Sequence, residues 1–171
     1  MLKPQDVVVL LKLTGQQHGW TFEKIAAELD LSPSAIHRSL DRAKQAGLYD
    51  ARRRVVNGAA LLEFLAHGAR YVFPAVRHGE ARGFPTAWAA PPLANRLSSS
   101  QENVPVWPHA HGKVRGIALE PLHPVVPEAA RRDRQLSEVL ALFDAIRIGN
   151  ARERALAVEE LSQRLGAPVS A

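Results

Sequence analysis

The sequence predicts a mainly helical fold with a small β component, of the α+β kind. Three observations carry that prediction. Apolar residues recur at helical spacing near both ends of the chain, and nine of the twelve prolines fall between residues 69 and 127. The composition, 46% hydrophobic and 23% charged over 171 residues, suits a globular core. The prolines remove backbone donors and disfavour helix in the residue before each of them. The chain therefore divides into a helical stretch (1–68), a proline-rich stretch of short strands and loops (69–127), and a second helical stretch (128–171).

In order along the chain, Pro4 suits a first helical turn, and the apolar run Val7 to Leu13 stops at Thr14-Gly15. Thr21 can cap FEKIAAEL, where Phe22, Ile25, Ala26 and Leu29 share one face. Asp30-Leu31 makes a short turn. Ser32 is a good N-cap and Pro33 sits at the first helical position, starting a third helix with Ile36, Leu40 and Ala43 inward and Gly47 as its stop. Two extended pieces, Leu48-Tyr49 and Arg52 to Val56, surround Asp50-Ala51. Asn57 can cap a fourth helix that reaches Gly68.

In the middle stretch the strand candidates are ARYVFPAV, VPVWP and KVRGIALEPL, with NRLSSSQEN the most loop-like segment. RHGEARGFPTAWAAPPL, Arg77 to Leu93, reads as an ordered loop that packs Trp88 into the core. Its alternative is a ligand or partner surface sharing a pocket with Trp107 and the neighbouring histidines. Beyond it, Leu136, Val139, Leu140, Phe143 and Ile146 form a helical stripe, Gly149-Asn150 breaks it, and ARERALAVEELSQRLG forms a last helix ending at Gly166. Those stripes need burial against the middle stretch or against a second copy of the chain.

Composition narrows the function classes. There is no cysteine, which removes disulfides and thiolate chemistry, and no apolar run approaches the roughly 18 residues of a membrane span. A cytoplasmic protein with neither signal peptide nor membrane contact is expected. No nucleophile elbow, phosphate loop or dinucleotide-binding glycine set is present, so neither an enzyme nor a bound cofactor is expected. His109, His111 and His123 could supply three nitrogens to a metal, but the spacing is not diagnostic, and an incidental role is expected with no metal site. The net charge of +5 favours an anionic partner. Its distribution says more: residues 31–54 hold six basic side chains against Asp41 and Asp50.

Two short helices joined by a tight turn, the second entering through Ser-Pro-Ser, match the arrangement that lays a helix into a DNA major groove. The segment IAAELDLSPSAIHRSLDRAKQAGL, Ile25 to Leu48, resembles the winged helix-turn-helix regulators of the MarR, IclR and Lrp type. Asp30 stands where glycine is often found, and aspartate also tolerates the left-handed conformation. The resemblance implies a winged helix-turn-helix DNA-binding domain in residues 1–68, a transcriptional regulator, and double-stranded DNA as partner. With Ile36 and Leu40 inward, Ser34, Ala35, His37, Arg38 and Arg42 are left toward the groove, and Ser32 and Ser34 can meet a phosphate at the helix start. His37 can equally be a plain surface histidine. Arg52, Arg53 and Arg54 follow as a short wing that reaches phosphates or the minor groove. Residues 69–127 are then an effector or partner region and residues 128–171 a dimerisation element, giving a homodimer on paired half-sites. The alternative from another class is a protein-interaction module, such as an antitoxin-like or defence-system component that controls a partner protein.

Overall fold

The computed structural model describes residues 1–16, 18–97 and 102–167, and within them the mixed helical and strand content agrees with the α+β expectation. Helix α1 (Pro4–Thr14) begins with Pro4 behind Lys3, whose backbone N–H donates to the Asp6 carboxylate at 2.8 Å. Its run Val7 to Leu11 is shielded on every side, which explains why the stretch is apolar without a polar face. Helix α2 (Phe22–Leu29) is capped by Thr21, whose Oγ1 accepts from the Lys24 N–H at 3.1 Å. Asp30 ends it at φ 54°, in the left-handed conformation that aspartate tolerates. Helix α3 (Pro33–Gln45) starts on the Ser32 cap and buries Ile36, Ser39, Leu40 and Ala43. Gly47, at φ 74°, then turns the chain out of it.

Strands β1 (Tyr49–Asp50) and β2 (Val55–Val56) form a two-residue antiparallel ladder. Helix α4 (Gly58–Glu63) follows the Asn57 cap and continues through a π-helical turn (Phe64–Gly68) into α5 (Ala69–Val72). The segment ARYVFPAV is therefore helical in its first half, not a strand. Its β-branched and aromatic residues suit either state, and burial of Ala69 together with Leu65 decides for helix. The helix stops at Val72 because Phe73 precedes Pro74.

The expected loop from Arg77 contains the longest strand, β3 (Arg77–Pro85), paired antiparallel with β4 (Pro105–Pro108) and β5 (Val114–Leu119). No alternation announces it, because Arg77 to Glu80 are all exposed. Strands β4 and β5 also pair with each other, in parallel, so the three close on themselves. Closure this tight needs missing side chains: a Cβ on Gly83 would strike the Trp107 carbonyl, and one on Gly116 the Val104 carbonyl. In NRLSSSQEN, residues 98–101 lie outside the described residues.

Helices α6 (Val126–Arg132), α7 (Arg134–Ile148) and α8 (Ala151–Leu165) complete the chain. The stripe of Leu136, Val139, Leu140, Phe143 and Ile146 is buried, and so is the opposite side of α7 at Ala141, Leu142 and Ala145. It packs against α1, α6, α8 and the turn Ala87–Ala89, so this chain covers the α7 stripe with its own elements. One apolar cluster takes residues from all three sequence stretches, among them Val8, Leu61, Trp107 and Phe143.

Candidate nucleic-acid interface

The outward side of α3 is positioned by its buried side. Ile36, Leu40 and Ala43 pin the helix to α1 and α2, which turns Ser34, His37 and Arg38 to solvent. At the helix start the Ser32 hydroxyl accepts the Ala35 N–H and lies 3.1 Å from Ser34 Oγ. Ser32 is thus occupied as a cap, while Ser34 stands exposed beside it. Ala35 is half-buried, and its carbonyl receives the Gln5 amide at 3.4 Å. His37 places Nδ1 3.0 Å from the Asp41 carboxylate and its ring 5.6 Å from that of Phe22. Arg38 is exposed and makes no ion pair among the described residues.

Arg42 does not join this face. Its Nε and Nη2 donate to the two Asp6 oxygens at 2.8 and 2.6 Å, and its side chain is only 20% exposed. Asp6 is fully buried, so this bidentate pair supplies the cation that a buried carboxylate requires. The Asp6 hydrogen bonds raise the Arg42 pKa beyond its already high value. A lone aspartate preceding VVVLL was the available signal: a carboxylate on a helix otherwise sealed in apolar surroundings must have a basic partner elsewhere in the chain.

The three wing arginines also separate. The Asp50 carboxylate accepts the backbone N–H groups of Arg52 and Arg53 at 2.9 and 3.0 Å, which shapes the turn and lowers the Asp50 pKa. Both arginine side chains project outward, Arg53 at 83% exposure with Nε 4.0 Å from Asp50. Arg54, at φ 56°, folds back instead. Its guanidinium lies 4.2 Å above the Trp20 ring and donates to the Trp20 carbonyl at 3.0 Å, clamping the turn to the entry of α2. A shallow hollow of about 280 Å³ between α3 and the turn is lined by His37, Asp41 and Lys44 on one side and Ala51 and Arg54 on the other. Both elements therefore open toward the same side. Lys44, three residues beyond Asp41 on this exposed edge, is one of the six basic residues of 31–54 but is not among the expected DNA contacts.

The other sequence candidates have structural neighbours. The His109 ring lies 4.8 Å from Phe84 and 5.5 Å from His111, with Nε2 3.4 Å from Glu128. The His123 pKa is pushed down by burial. No group of three or more His, Asp or Glu side chains among the described residues is placed to hold a metal. Trp107 does not line a pocket wall with them. It is 1% exposed, and its Nε1 donates to Asp144 at 2.7 Å. The same Asp144 carboxylate accepts the Thr86 hydroxyl at 2.8 Å and Arg147 at 2.9 Å, in a fully enclosed cluster. Burial pushes the Asp144 pKa up against the pull of Arg147. Trp88 packs half-buried against the core, as read from the sequence.

No family model, no curated protein and no solved structure matches this chain. Among the described residues, no helix is long and apolar enough to cross a membrane.

Proposed function

We propose that this chain is a cytoplasmic DNA-binding transcriptional regulator. Residues 1–68 act as a winged helix-turn-helix, with α3 in the major groove and the β1–β2 turn on the backbone of double-stranded DNA. The observation that carries the reading is the selective freedom of cations here. Arg42 is paired inside the fold and Arg54 is clamped over Trp20, whereas Arg38 on α3 and Arg52 and Arg53 on the turn project into solvent from the two elements that border the hollow, without lining it themselves. Arg38 reads a guanine edge, Ala35 and His37 flank it, Ser34 meets a phosphate, and the turn arginines grip the backbone. Two copies on half-sites about 34–36 Å apart would supply the affinity that one short helix lacks.

The test is a salt-titrated binding assay on DNA upstream of the gene. Binding should weaken steeply with salt, by about 0.9 in logarithmic slope for each phosphate contact. Arg38→Ala should flatten sequence preference, and the Arg52→Ala/Arg53→Ala pair should weaken all sequences alike and reduce that slope. Native protein that binds no duplex above the level of any basic protein would end the reading.

A second reading has its own observation. Tyr71, Val72 and Val76 are exposed large apolar side chains close together in the chain, with Tyr71 at 75%. A surface of that kind suits a protein partner, as in an antitoxin-like interaction module. Such binding would respond little to salt and would be lost in Tyr71→Ser/Val72→Ser with DNA affinity intact.

A further inference from the structure

We infer that the hollow bordered by the end of α1, the β1–β2 turn and the end of α8 is a binding site for a phosphate ester with a small apolar body. The hollow measures about 360 Å³, the size of a small-molecule site. Its lining brings together Arg53 and Arg54 from the turn, Arg164 from α8 and His18 from the connection between α1 and α2. No aspartate or glutamate is among its described lining residues.

The cations have different states. Arg164 is held by Glu138 at 2.9 Å and Glu160 at 2.6 Å, which neutralise it and fix its position. Arg54 spends one of its donors on the Trp20 carbonyl and is steadied over the indole, so the rest of the guanidinium is pre-positioned. Arg53 has only the Asp50 carboxylate near it, at 4.0 Å, and its side chain is 83% exposed, so its donors are open to a ligand. Guanidinium groups with planar donor sets suit the several oxygens of a phosphate better than a single carboxylate. Beside them, Leu13, Val55, Val56 and Leu165 give the hollow an apolar wall for the body of an ester.

That phosphate can belong to a free phosphorylated metabolite or to a nucleic-acid backbone. The site itself does not depend on the DNA reading. Its regulatory consequence does rest on that reading: a ligand that engages Arg53 competes with the backbone for it and ties the turn to the end of α8.

The experiment is calorimetric titration of the full chain with inorganic phosphate and with phenyl phosphate, on native protein, Arg53→Gln and Arg52→Gln. Arg52 shares the turn with Arg53 but does not line the hollow. Saturable one-site binding is expected, with phenyl phosphate tighter than inorganic phosphate. Arg53→Gln should weaken it about tenfold, the loss of one charge-assisted contact, and Arg52→Gln should leave it unchanged. Absence of saturation in the native chain, or equal weakening by the two variants, overturns the site, the second result marking a diffuse field instead. Duplex binding measured on the same proteins separates the two readings. A chain that takes phenyl phosphate but no duplex keeps this site and loses the DNA function, and the reverse loses this site alone. Displacement of labelled duplex by phenyl phosphate assigns the site to backbone phosphate, and simultaneous binding assigns it to the free ester.

Discussion

Helix α3 carries arginines at the rim of the fold, while α7 carries Asp144 and Arg147 at its centre. The two helices have similar lengths, yet their charges have opposite standing. On α3, Arg38 is exposed and makes no ion pair among the described residues. On α7, the Asp144 carboxylate holds Thr86, Trp107 and Arg147 together, and Arg147 extends to the Phe73 and Pro74 carbonyls. Arg42 lies on α3 but belongs by its surroundings to the second kind. The difference teaches that a charge is available for binding only where the fold does not already use it, and that sequence position alone does not say which case holds.

Breaking the enclosed charges should have the largest effect. Asp6→Ala strands Arg42 and Asp144→Ala strands Arg147 together with two neutral donors. Each should lower the free energy of unfolding by about 3–5 kcal/mol in urea titrations. Asp6→Leu combined with Arg42→Met should recover much of that loss, since an apolar pair leaves no charge unmatched. Next in size is Gly83→Ala, where the added methyl meets the Trp107 carbonyl. A loss of about 1–3 kcal/mol is expected, with disturbed Trp107 fluorescence. Ser32→Ala removes the α3 cap and should cost about 1 kcal/mol while leaving the Asp6–Arg42 pair in place.

Arg38→Ala sharpens the contrast from the other side. Stability should stay within about 0.5 kcal/mol, and any change should appear only in DNA preference.

The smallest effect is on the acid limb of the stability curve. Burial alone would raise the carboxyl pKa values of Asp133 and Glu138. Lys12 and the Leu136 N–H outweigh it at Asp133, and Arg164 and Arg134 outweigh it at Glu138, so both are lowered. The stability they contribute is therefore complete above their ordinary carboxylate values and is lost as pH falls through the lowered ones. Glu138→Gln should flatten the fall of Tm in that acid range and leave its slope near neutrality unchanged.

Much of the helical frame was legible in the sequence because its determinants are local. Thr21, Ser32, Asn57 and Asn150 cap helices through hydrogen bonds to backbone N–H groups three residues on, and Asp30, Gly47 and Gly166 adopt the positive φ that ends or turns them. Strand β3 was not legible, since a strand exposed through Arg77 to Glu80 shows no alternation. Within the candidate interface, the exposure of Ser34, His37 and Arg38 followed from the inward stripe of Ile36 and Leu40. The fates of Arg42 and Arg54 did not, because their partners Asp6 and Trp20 lie 36 and 34 residues away.

The sequence by itself determined where α1 to α4 begin and where α3 and α8 stop, which face of α3 is apolar, and that the chain holds a cationic segment between residues 31 and 54. These follow from capping chemistry, periodicity and charge, which act over a few residues. Only the tertiary structure decided which arginines remain free, that the α7 stripe is covered by the chain's own elements, and that Trp107 and Asp144 meet inside the core. Those outcomes depend on burial, and burial is set by what distant parts of the chain bring to the same place.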